Sequence, residues 1–138
     1  MDYLALKFRK IIDSDNLSHA YLFWGPDVDV SLDFGLSIAN YLEKKEWKSV
    51  GPIIESQIIS GSEGVIGIDE VKTLKNFLGL CPIQSKRRCG IIHLAERMTT
   101  EAQNAILKIA EEPNGKVLLI FTSNSVENLL TALSSRVM

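Results

Sequence analysis

The chain has 138 residues, of which 46% are hydrophobic and 23% charged, and its formal net charge is −2. This composition excludes a disordered chain or a rod, and the small negative charge excludes nucleic-acid binding over the whole surface. The chain has two cysteines and no CxxC pair, which favours a cytoplasmic protein without disulfides or zinc. It has no apolar run of about 20 residues, so we expect one domain without a membrane span.

Apolar residues alternate between helical and strand-like spacing along the chain. In the order of the sequence, the spacing predicts helix 3–12, strand 19–24, helix 31–44, strand 52–60, a helix capped by Asp69, strand 89–95, helix 100–112 with a Thr100/Gln103 capping box, strand 116–122 and helix 126–133. Such alternation indicates a parallel sheet covered on both faces. Functional residues of such sheets follow the carboxyl ends of the strands.

The turn after the first strand has the layout of a phosphate-binding loop without its chemistry. That loop requires G-x-x-x-x-G-K-[ST], whose amides and lysine hold phosphates while its hydroxyl holds Mg²⁺. Gly25 and Pro26 open the turn, but Val30, Ser31 and Leu32 stand where the second glycine, the lysine and the hydroxyl belong. The first amides of the next helix are still open to an anion, which leaves residual nucleotide binding undecided.

The strand at 89–95 lacks the acidic pair that a nucleotide hydrolase uses to hold Mg²⁺ and activate water. His93 and Leu94 occupy those positions, and Glu96 follows two places later. The one other histidine is far away along the chain, so we expect no metal site here. We interpret His93 as a strand-end residue with a satisfied hydrogen bond.

The one dense basic cluster of the sequence is Lys86, Arg87 and Arg88, in a loop predicted at 82–88. Three such charges are usually solvated, and a contact with DNA phosphates is the alternative. Cys81 and Cys89 flank the loop, and we expect them to be small buried hydrophobic residues rather than a redox pair.

Four segments resemble, in order, the bacterial clamp-loader ATPase-fold subunits: SHAYLFWGP at 18–26, IDEVKTL at 68–74, MTTEAQNAILKIAEEP at 98–113 and SSRV at 134–137. The last resembles that family's Ser-Arg-Cys motif, with Val137 in place of Cys. The resemblance implies an α/β fold, a three-layer αβα AAA+ P-loop-like module whose parallel sheet has the strand order 5-1-4-3-2. It also implies that residues 1–138 are an N-terminal fragment, ending before strand five, the helical lid and the collar domain.

The altered loop is similar to that of the delta-prime branch of this family, whose members lack the hydrolytic residues of the gamma and tau motor subunits. The resemblance implies a non-hydrolysing subunit of the DNA polymerase III clamp loader. Its partners would be the gamma/tau and delta subunits, the sliding clamp and primed DNA. It implies no ATP bound in cis and no zinc, because a short linker at 43–51 replaces the four-cysteine module of many members.

Two regions take their expected roles from this resemblance. Arg136, with Ser135 shaping its turn, would reach the nucleotide of the adjacent motor subunit as an arginine finger. The polar edge of the helix at 100–112 would lie at that subunit interface, through Asn104, Lys108, Glu111 and Glu112. The residues themselves leave alternatives open. For Arg136 the alternative is an exposed arginine, and for the helix at 100–112 it is a solvated edge. For the whole chain the alternatives are a motor ATPase with a divergent loop and an AAA+-like scaffold of another complex.

Overall fold

A computed structural model describes residues 3–48, 51–111 and 115–124. Helices and strands alternate along these residues, as the spacing predicts. Their bounds are α1 (Tyr3–Asp13), β1 (Ala20–Trp24), α2 (Val28–Lys44), β2 (Ser56–Ser60), α3 (Ile68–Leu78), β3 (Arg88–His93), a 3-10 helix (Ala95–Arg97), α4 (Thr100–Glu111) and β4 (Val117–Ser123). The helix predicted at 126–133 lies outside the described residues.

The strands form a parallel sheet in the order β1-β4-β3-β2. Ala20 is opposite Leu119, and Ile91 is opposite Ile120. This order is the 1-4-3-2 part of the predicted arrangement. The fifth strand that the resemblance implies beside β1 stays a prediction.

Helices cover both faces of the sheet, which gives three layers. In β4, Leu118 and Ile120 pack under α1 and α2, whereas Leu119 and Phe121 pack under α3 and α4. All four side chains are at most 1% exposed. This double burial explains why β4 reads as a continuous apolar run rather than an alternating one.

Some predicted boundaries were wrong, because local hydrogen bonds decide where helices and strands begin and end. The predicted cap of α3, Asp69, lies inside that helix, and Gly67 precedes it with its N–H bonded to Glu70 Oε2 at 2.6 Å. The cap of α4 is Thr99 rather than Thr100, since the Thr99 hydroxyl accepts from the Ala102 N–H at 3.1 Å. The predicted strand 52–60 pairs only from Ser56 onward, and the predicted strand 89–95 ends at His93.

Candidate functional site

The turn between β1 and α2 is too short to be a phosphate-binding loop. Gly25 donates its N–H to Ser123 O at 3.2 Å, and α2 begins at Val28 instead of at the predicted residue 31. Gly25, Pro26 and Asp27 therefore make the whole connection. The predicted loop positions Val30, Ser31 and Leu32 all lie in the first turns of α2.

Asp27 explains the early start of α2. Its Oδ1 accepts from the N–H groups of Asp29 at 3.2 Å and Val30 at 3.4 Å, which is the bonding of a helix N-cap. Two of the amides that the sequence leaves open to an anion are therefore bonded within the chain. The Asp27 carboxylate also places a negative charge beside the start of α2.

A buried histidine ends β3. The His93 side chain is 5% exposed, and its Nδ1 lies 2.7 Å from the Thr122 hydroxyl, which accepts from the Leu94 N–H at 3.0 Å. The hydroxyl can then donate to Nδ1, which assigns the ring proton to Nε2. Burial lowers the pKa of His93, against the opposing effect of the Asp29 and Glu96 carboxylates. The interpretation of His93 as a hydrogen-bonded strand-end residue is confirmed.

The lowered pKa makes the stability of the protein dependent on pH. In the unfolded chain His93 takes up a proton near the ordinary histidine pKa of 6.5, and the folded protein does so only at lower pH. We therefore expect stability to be complete above pH 6.5 and to fall as the pH decreases below it, by at most about 1.4 kcal/mol per pH unit. Chemical denaturation between pH 7.5 and 5.5 measures this slope.

The substitution His93→Gln keeps an acceptor for Thr122 but removes the titrating group, so the slope between pH 7.5 and 5.5 should become shallower. His19→Gln removes the other histidine of the chain and is the matched control. Equal slopes for the wild type and His93→Gln would contradict the assignment of the slope to His93.

The charge at the carboxyl ends of β1 and β3 is unfavourable for a triphosphate. Asp27, Asp29 and Glu96 contribute negative charge, and the lowered pKa favours the neutral form of His93. Within residues 3–48, 51–111 and 115–124, no group of three or more His, Cys, Asp or Glu side chains is placed to hold a metal ion. At the positions where a nucleotide hydrolase has its lysine and its acidic pair, the described residues are Ser31, His93 and Leu94.

The outer face of α4 is polar. Asn104, Lys108 and Glu111 are exposed, while Ala102 and Ile106 on the opposite face are fully buried. The predicted interface residues of α4 within the described part of the chain therefore share an accessible face, and their contact with a neighbouring subunit stays a prediction. Glu112, Ser135 and Arg136 lie outside the described residues.

The basic cluster is divided between core and surface. Arg88 begins β3 and is 8% exposed, with one guanidinium nitrogen 4.0 Å from Glu55 Oε2 and the guanidinium carbon 4.6 Å from the centre of the Phe77 ring. The prediction of a solvated loop residue is wrong for Arg88. The Arg88 guanidinium therefore faces Glu55 and Phe77 inside the protein rather than solvent.

The other two cations of the cluster also have partners within the protein. Arg87 donates to Leu17 O at 2.7 Å and Ser18 O at 2.8 Å, and the exposed Lys86 lies 3.9 Å from an Asp15 oxygen. A contact of this loop with DNA stays a prediction. Of the flanking cysteines, Cys89 is buried as expected, with burial raising its pKa to about 12, but Cys81 is exposed.

Residues 2–138 match the family described as DNA polymerase III, delta subunit. The chain belongs to this family. It is 29% identical over 150 residues to the DNA polymerase III subunit gamma/tau of Mycobacterium tuberculosis, which covers 98% of this chain and 26% of that protein. It is 28% identical over 138 residues to the DNA polymerase III subunit delta' of Bacillus subtilis, which covers 91% of this chain and 42% of that protein.

The structure of a DNA polymerase III gamma subunit-related protein from Thermotoga maritima superposes with a TM-score of 0.71 and 31% identity. It covers 97% of this chain and 44% of that chain. The AAA+ clamp-loader fold that the resemblance implies is thus confirmed for this member of the DNA polymerase III delta subunit family. The chain spans less than half the length of these relatives. No helix among the described residues is long and apolar enough to cross a membrane.

Proposed function

We propose that this chain is a non-hydrolysing subunit of the DNA polymerase III clamp loader and helps to load the sliding clamp on primed DNA. Its partners are the gamma/tau motor subunits and the delta subunit, and its own site holds no ATP. The family membership and the similarity to both gamma/tau and delta' proteins support a place in this complex.

The observation that carries the proposal is the three-residue turn between β1, which ends at Trp24, and α2, which begins at Val28. A phosphate-binding loop surrounds phosphates with successive backbone N–H groups and adds a lysine. Here Val30, Ser31 and Leu32 are helical. The N–H groups of Asp29 and Val30, in the first turn of α2, are bonded to the Asp27 carboxylate. This geometry opposes the binding of a triphosphate by both shape and charge.

The contribution of the chain to ATP hydrolysis is then made in trans. Arg136 reaches the nucleotide bound by the adjacent motor subunit, where a guanidinium stabilises charge that develops on the transferred phosphoryl group. Ser135 shapes the same segment, and the exposed face of α4 with Asn104 and Lys108 lies towards that neighbour.

The alternative is a motor ATPase with a divergent loop, which the 29% identity to a gamma/tau subunit favours. A motor needs a cation for the phosphates and an acid for Mg²⁺ and water. Val30, Ser31 and the His93–Thr122 pair offer neither. The residues of the site therefore favour the non-hydrolysing role.

Equilibrium binding of Mg-ATP to the full-length protein tests the proposal, with an isolated gamma/tau motor subunit as the positive reference. We expect no saturable binding by this protein, corresponding to a Kd weaker than about 1 mM. We also expect a stable complex when it is mixed with motor and delta subunits. Micromolar binding with hydrolysis by this protein alone would establish the motor alternative, and failure to assemble would indicate a scaffold of another complex.

A further inference from the structure

A carboxylate at the end of α2 holds the segment that leads into β2. Glu43 accepts from the Ile54 N–H, with both carboxylate oxygens at 2.9 Å, and from the Glu55 N–H at 2.7 Å. Ile54 is 63% exposed, whereas the neighbouring Ile53 packs against the core, so the Glu43 bonds act together with the packing of Ile53. The position of the Glu55 backbone thus depends on Glu43 as well as on the sheet.

A second carboxylate continues from that point. Glu55 is 2% exposed, and it accepts from the N–H groups of Ile83, Gln84 at 2.7 Å and Ser85 at 2.6 Å, and from the Ser85 hydroxyl at 2.9 Å. Burial raises the pKa of this carboxyl, but the hydrogen bonds outweigh burial and lower it to about 2. Three successive amides that point at one anion form a closed nest. The nest orders a segment whose Ile83 side chain is 87% exposed.

The residues of the connection between α2 and β2 do not suit a structural metal. Residues 45–55 contain neither Cys nor His, so the linker offers no ligands of the kind that hold structural zinc. The carboxylates of Glu43 and Glu55 have backbone amides as their partners instead. Zinc therefore does not fit this connection.

We propose that Glu43 and Glu55 form a carboxylate relay, which fixes the two connections before β2 and β3 without a metal. Glu43 sets the position of the Glu55 backbone, and the Glu55 side chain sets the position of residues 83–85. Glu43 is thus a positioning residue that acts on residues 83–85 through Glu55. Because this segment is ordered in the free protein, a partner that binds it would not have to order it.

Hydrogen exchange of the full-length protein, followed in peptides that cover 51–55 and 82–86, tests this order of action. Glu55→Gln puts an amide N–H₂ among the N–H donors, so we expect at least tenfold faster exchange in 82–86 with little change in 51–55. Glu43→Gln should accelerate 51–55 at least tenfold and 82–86 at least threefold. The double variant should exchange in 82–86 at the rate of Glu55→Gln alone, because the two residues act in one pathway.

Peptides from β4 report the global stability, and their exchange rates correct for any general loss of it. Glu46→Gln, an exposed residue of the same linker, is the matched control and should change neither segment. Exchange in 82–86 that Glu43→Gln leaves unchanged would overturn the relay, because the bond from the Cys89 N–H to Glu55 O would then suffice to place Glu55. Acceleration of either segment by a zinc chelator would overturn its metal-free character.

Discussion

Replacing Arg136 by Ala in the full-length protein is expected to lower DNA- and clamp-stimulated ATP hydrolysis by the reconstituted clamp loader at least tenfold. A tenfold loss corresponds to about 1.4 kcal/mol of transition-state stabilisation, and arginine fingers contribute about 10³–10⁵ in rate in the best systems. The measurement is the steady-state rate of the complex with motor and delta subunits, with assembly followed by size-exclusion chromatography.

Two further variants make that result specific. Arg136→Lys keeps the charge but loses the planar pair of donors, so it should recover little of the rate. Lys72→Ala removes an exposed cation from α3 and should leave the rate unchanged. A wild-type rate for Arg136→Ala in an intact complex would remove the finger from the proposed function and leave a structural role.

The features that the sequence predicts well depend on local spacing or on the resemblance. Long apolar runs and helical periodicity locate β1, β4 and most of the helical residues, because burial on one or both faces leaves a direct pattern. The sheet order comes from the resemblance. Helix starts are predicted less well, since Thr99 and Thr100 are equally good caps by residue type and only the hydrogen bond to Ala102 distinguishes them.

The features that the sequence does not predict are pairings between distant positions. Glu55 bonds to residues about 30 places later in the chain, and no local pattern marks a glutamate that will be buried. Arg88 shows the same limit, because a run of three basic residues usually indicates a solvated loop. Asp27 lies in the turn after β1, but its role as the N-cap follows only from the start of α2 at Val28.

Glu55→Gln should cause a large loss of stability, about 2–4 kcal/mol in the free energy of unfolding at pH 7. The substitution removes a buried charge that accepts several hydrogen bonds and leaves the nearby Arg88 without its carboxylate. Urea denaturation at pH 7 measures this difference, and Glu46→Gln is the exposed control. A loss below about 0.5 kcal/mol would mean that water or neighbouring residues replace the bonds of Glu55.

The same carboxylate makes the difference between wild type and variant depend on pH. Its folded pKa of about 2 is below the ordinary glutamate value of 4.5, so its stabilisation is complete above pH 4.5 and is lost as the pH falls towards 2. We therefore expect the stability difference between wild type and Glu55→Gln to stay constant from pH 7 to 5 and to shrink between pH 4.5 and 3. A difference that is independent of pH over this range would show that shape and packing at position 55, rather than its charge, hold residues 83–85.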